Sequence, residues 1–190
     1  MLTNLSLVEA PDPVVSLTDA KAFLHVWHDD DDALITQLIA AATDKLDGAG
    51  GVLGRALGVQ TWRLMLDCFP AGAVKLPLPP FRSVESITYF DRHGDQQTLD
   101  PADYKTSGVG GTGVIVSTGD WPDTWDFPGA VDIVFEAGYD AVPASLKQVI
   151  LGLVFFWYST RGKVPDGNTA TEVPFGFDDA ISAWQVAYVG

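Results

Sequence analysis

The sequence is short of cysteine, of positive charge and of long apolar runs, and each shortage removes a class of function. Cys68 is the single cysteine among 190 residues, so neither an intrachain disulfide nor a cysteine-built metal cluster can form. It continues the alternation of Leu64 and Leu66, which predicts a buried structural thiol; a nucleophilic role would require an activating base beside it. Lysine and arginine number 11 against 25 aspartates and glutamates, a net charge of −14 at pH 7. A chain so short of cations does not hold nucleic acid by counterion release, although a negatively lined passage would let phosphate slide past. The longest apolar run, Val149–Tyr158, falls well below the roughly 20 residues that span a bilayer. No basic residue precedes the apolar part of the first fifteen residues, a pattern that does not fit a signal peptide. The contexts G-x-S-x-G, H-E-x-x-H and Ser-His-Asp are missing. Carboxylates are too many and too scattered to mark an acid–base pair.

What is present is enough apolar residue, 47% against 19% charged, to build a core. Residues 1–15 read as an extended arm, since Pro11 and Pro13 block a helix. "SLTDAKAFLHV" begins a helix that Ser16 or Thr18 can cap. In "HDDDDALITQLIAAATDKL", Leu34, Ile35, Leu38, Ile39, Ala42 and Leu46 recur at helical spacing. From Leu57 the period changes to two. "QTWRLMLDCF" sets Trp62, Leu64, Leu66 and Cys68 on one face, and further strands are predicted at 73–76, 84–90, 96–99, 113–117 and 130–136. Helix returns in "PASLKQVILGLVFFWYSTRG", with Pro143 at its first turn. The predicted class is α+β: a helical body from the N- and C-terminal parts (16–56 and 140–162) with an inserted small antiparallel β module (57–139). A linker and tail (163–190) follow.

Several stretches suggest chemistry and carry a plainer reading. "GVGGTG" matches a dinucleotide loop at Gly108, Gly110 and Gly113, but "VIVST" follows it, a strand where a helix is required. Asp29–Asp32 lack the glycine and closing glutamate of a calcium loop and are read as helix-capping residues. His25 and His28 have no third ligand in view. Trp121 and Trp125 in "WPDTW" suit packing on the sheet, a protein contact or stacking on sugar. "VILGLVFFWY" is apolar around its whole circumference and must be buried on all sides, which makes Phe155 and Phe156 candidates for a contact between subunits. Ile181, Trp184 and Tyr188 form one short stripe that cannot hold a helix in water alone. It folds back on its own domain or docks on a partner, with Phe175 and Phe177 as further anchors.

The order and spacing of these pieces resemble the head–tail connector, or adaptor, proteins of long-tailed phages and phage-derived gene transfer agents. "LTDAKAFLHV", "DDALITQLIAAAT", "GRALGVQTWRLMLDCFP", "LPLPPFRSVESITYFDRHGDQQTLDPADY", "VDIVFEAGYDAVPASLKQVILGLVFFWYSTR" and "TEVPFGFDDAISAW" carry the likeness. The run from Pro77 to Tyr104 is the most distinctive, and His25 stands where the family usually has a basic residue. The resemblance implies a non-enzymatic virion protein without cofactor or metal, made in the bacterial cytoplasm and placed in the particle neck. It implies a ring, usually of twelve copies, that contacts the portal and the stopper or other neck and tail proteins. That ring extends the channel through which DNA passes without specific binding, and there is no membrane partner. The carried-over portal-docking tail holds Val173, Pro174, Phe175, Phe177, Ile181, Trp184 and Tyr188. Phe155, Phe156, Trp121 and Trp125 would face another subunit or the next tier. A carbohydrate- or surface-binding module using the exposed tryptophans is the competing reading.

Overall fold

In a computed structural model, which describes residues 3–108, 111–160 and 177–186, the period-two stretches form antiparallel sheets and the period-3.6 stretches form helices. The class is therefore mixed α+β. The chain divides into two compact units, one from Met1–Asp12 and Arg55–Asp140, the other from Pro13–Gly54 and Ala141–Gly190.

The first unit holds eight strands: β1 (Thr3–Glu9), β2 (Gln60–Leu66), β3 (Val74–Leu76), β4 (Phe81–Phe90), β5 (Gln96–Thr98), β6 (Tyr104–Ser107), β7 (Gly113–Ser117) and β8 (Val131–Ala137). Five of them form one sheet in the order β1-β2-β8-β4-β5, and three form a second in the order β3-β7-β6. The alternation read in "QTWRLML" is the cause of the core. Trp62, Leu64 and Leu66 point to one side of β2, where Ile133 and Phe135 of β8, Ile87 of β4, Leu76 of β3 and Ile115 of β7 join them. Both sheets thus turn an apolar face to a single cluster. The stretch expected as an arm is extended, but from Thr3 it runs as the edge strand β1, paired with β2 from Thr3↔Leu66 to Glu9↔Thr61.

Between β3 and β4, Pro77-Leu78-Pro79-Pro80 carries the chain from one sheet to the other. Leu78 is buried, and two carbonyls of the segment are satisfied, Pro79 by the Ala56 amide at 3.1 Å and Pro80 by the Gly138 amide at 2.8 Å. Prolines suit such a corner because they carry no N–H to leave unpaired. Gly138 has φ +114, and a Cβ there would lie 1.8 Å from the Gly58 carbonyl oxygen, so no other residue fits.

The second unit holds α1 (Leu17–Leu24), α2 (Asp32–Leu46), α3 (Ala144–Thr160) and α4 (Phe177–Ser182). Ser16 caps α1, its hydroxyl accepting the Asp19 amide at 3.0 Å. His25 ends it in the left-handed conformation, φ 56. Ile35, Ile39, Ala42 and Leu46 form the buried stripe of α2. Helix α2 packs on α3, α1 touches both, and α4 lies on α3. No helix of the described residues is long and apolar enough to cross a membrane.

Candidate interaction surfaces

The residues that suggested chemistry do not converge. Among the described residues no group of His, Cys, Asp and Glu could hold a metal ion. Cys68 is exposed, which corrects the expectation of a buried thiol. Strand β2 ends at Leu66 and the chain bends, so the alternation no longer dictates which way residue 68 faces. Gly113 opens strand β7; a Cβ there would meet the Phe81 ring at 2.6 Å, so this glycine serves packing. Gly110 lies outside the described residues. A cleft of about 240 Å³ is lined by Glu9, Asp12 and Glu136 beside Gln60 and Thr61. Its buried polar groups are already bonded: Gln60 donates to the Gly58 carbonyl and accepts from Trp62 Nε1, and Thr61 donates to Glu85.

Asp31 occupies the N-cap position of α2, with φ −99 and ψ 3 and no side-chain cap bond, and Asp32 is the acidic residue of the first turn. The run also pins the α1–α2 loop. Lys21 Nζ donates to Asp29 at 2.7 Å and to Asp32 at 2.6 Å, and the Tyr158 hydroxyl donates to Asp31. The bonds from Lys21 hold the Asp29 carboxyl below its ordinary value of 3.8, and the same bonds raise the lysine. His25 is spent on the helix end, and His28 stands 3.7 Å from Asp30. On the β unit, burial pushes the Asp132 carboxyl up, against the lowering effect of Arg63 at 3.3 Å.

The two tryptophans of "WPDTW" have different fates. Trp121 stacks on Phe69 at 4.6 Å and donates from Nε1 to the Gly72 carbonyl at 2.8 Å. Its ring is thereby committed to the β unit. Trp125 stacks on Phe127 at 5.0 Å and lies against Gly94, leaving both aromatics about half exposed. On the helical unit, α3 buries Leu146, Ile150, Leu151, Leu153 and Val154 but leaves Phe155 51% exposed, edge-on to Phe23 at 6.3 Å. Phe156 and Trp157 are half-buried.

Of the expected docking tail, Val173, Pro174, Phe175 and Tyr188 lie outside the described residues. Ile181 is buried at 3% exposure, and the Val186 amide donates to the Leu53 carbonyl at 3.0 Å. Ile181 is thus seated on its own unit. Phe177 and Trp184 stay partly exposed. Trp27, which the sequence reading passed over, is 82% exposed, more than any other large apolar side chain described. The signal was available: Trp27 falls beyond the helical stripe of α1, with His28 between it and four aspartates.

The chain folds as a mixed α+β protein with two antiparallel sheets and four helices, and its fold is shared with chains of known structure. The fold is similar to that of a chain in the neck of an empty gene transfer agent (GTA) particle computed with C6 symmetry, with a TM-score of 0.79 and 22% identity. It is also similar to one in the virion of a native GTA particle, at 0.78 and 22%, and to one in the neck of a native GTA particle computed with C12 symmetry, at 0.70 and 23%. Each likeness covers 98% of this chain and 97% of the other. No protein-family model and no curated protein matches the sequence.

Proposed function

We propose that this chain is a structural adaptor in the neck of a GTA or phage particle. In this reading it forms a ring of copies, twelve as in the adaptor family it resembles, between the portal and the stopper or other tail proteins. The ring extends the DNA channel without binding DNA specifically. The observation that carries the reading is the extent of the shared fold: it runs through 98% of this chain and 97% of a GTA neck chain at a TM-score of 0.79. The motif order from "LTDAKAFLHV" to "TEVPFGFDDAISAW" supports it independently, as does a charge of −14, which suits a conduit that must not retain DNA.

The segment from Thr171 to Gly190 is assigned to the portal, with one refinement. Ile181 is seated on the chain's own helical unit, so α4 works as an anchor. The partner-facing residues are then Phe177 at its first position and those that flank it, Val173, Pro174, Phe175, Trp184 and Tyr188. Phe155 and Phe156 remain suited to a neighbouring subunit and Trp125 to the next tier, whereas Trp121 is used internally. The test is cryo-electron microscopy of particles purified from producing cells, with this chain tagged. Symmetric ring density for the chain directly below the portal is the expected result. Tailed particles that lack the chain would overturn the reading.

A further inference from the structure

The three-stranded sheet buries one face and presents another. On the outer face Lys75 of β3 is opposite Val114 of β7, and Lys105 of β6 is opposite Val116. Both lysines are exposed, Val116 is 48% exposed, and among the described residues neither lysine has a carboxylate within ion-pair distance. Two lysines thus frame β-branched apolar residues and make this face locally positive on a chain with 25 acidic residues against 11 basic.

The same chain carries the complementary surface. Trp27 projects from the α1–α2 loop at 82% exposure, beside Asp29 and Asp30, whose side chains are 90% and 94% exposed. The loop is braced at both ends. The left-handed His25 closes α1, the Val26 amide donates to the Lys21 carbonyl at 3.0 Å, and Lys21 ties Asp29 to Asp32. An exposed tryptophan on a braced loop has the character of an interface hot spot, because little conformational freedom remains to be lost on binding.

We infer that the Trp27 loop of one copy docks on the Lys75–Lys105 face of the β3-β7-β6 sheet of the next copy. Trp27 lies over Val114 and Val116, and Asp30 pairs with the lysines. The contact joins two different surfaces, so its repetition builds a ring or a filament rather than a closed pair. It rests on the adaptor reading only for the expectation of a ring.

Charge exchange on the full-length chain tests it. Asp30→Lys, and Lys75→Glu with Lys105→Glu, change exposed residues and are expected to leave folding unchanged. Sedimentation velocity at low salt is expected to show wild-type self-association that weakens at least about tenfold in either variant and in Trp27→Ala. An equimolar mixture of the two charge variants should regain association, because each loop then meets a face of opposite sign. The inference is overturned by a wild-type chain that stays monomeric throughout, by variants that associate like wild type, or by a mixture that fails to recover. None of these results touches the adaptor reading, which stands or falls on the chain's presence in the neck.

Discussion

Replacing Ile181 with alanine separates the two roles open to the C-terminal segment. Burying an isoleucine side chain stabilises by about 1.5–3 kcal/mol, and Ile→Ala in an enclosed core costs about 2–5 kcal/mol. Ile181 is 3% exposed, yet α4 has only six residues, too few to persist unattached. Once a substitution costs more than the net attachment of α4, the helix leaves α3 and the loss stops growing. Ile181→Ala is therefore expected to cost about 2 kcal/mol, and Ile181→Asp no more than Ile181→Ala. Ile150→Ala, at a fully buried position in α3, has no such ceiling and should cost about 3–4 kcal/mol. Urea unfolding followed by tryptophan fluorescence reads all three, with a slightly lower denaturant slope expected where α4 has already left the native state. A loss below about 0.5 kcal/mol for Ile181→Ala would refute the reasoning. Ile181 would then be free to serve as a partner anchor.

Other outcomes follow from single contacts. Gly138→Ala forces a Cβ to within 1.8 Å of the Gly58 carbonyl oxygen at φ +114, and should cost at least about 3 kcal/mol by thermal unfolding or abolish soluble expression. Trp121→Phe keeps the stack on Phe69 but removes the donor to Gly72, for an expected loss of about 1 kcal/mol in the same assay. The Asp91 carboxyl, which accepts from Gln97 and from the His93 and Asp95 amides, is held below its ordinary value of 3.8. A depressed carboxyl stabilises the fold above its unfolded value and loses that contribution as pH falls through its folded one. Amide exchange at His93 and Asp95 should therefore quicken as pH falls below about 3.8 relative to the intrinsic rate, and Asp91→Asn should flatten that dependence.

The elements most legible in the sequence were those whose periodicity is local. The stripe Ile35, Ile39, Ala42 and Leu46 in α2 and the alternation Trp62, Leu64 and Leu66 in β2 can be read without knowing any partner. Strand β1 was missed because its reason for existing is β2, more than fifty residues away, while its own flanking prolines suggest an arm. Strand β6 was missed because "YKTS" shows no alternation; its pairing with β7 defines it. Cys68 misled because an alternating pattern says nothing about where a strand ends. The interaction surfaces were harder still. An aromatic such as Trp121 or Trp125 reads the same whether its ring is stacked inside the fold or left open, and only the positions of Phe69, Gly72 and Phe127 separate the two cases.

The chain passes between its two units at three points, after Asp12, Gly54 and Asp140. Neither unit is therefore encoded by an uninterrupted stretch, and no single contiguous fragment contains one unit without part of the other. During synthesis β1 precedes β2 but cannot complete its sheet until β8, ending at Ala137, has followed β2. The helices α1 and α2 likewise wait for α3. The first unit closes only once the chain has reached Asp140, and the second only once α3 has followed. Fragments that stop before β8 should therefore lack either completed unit.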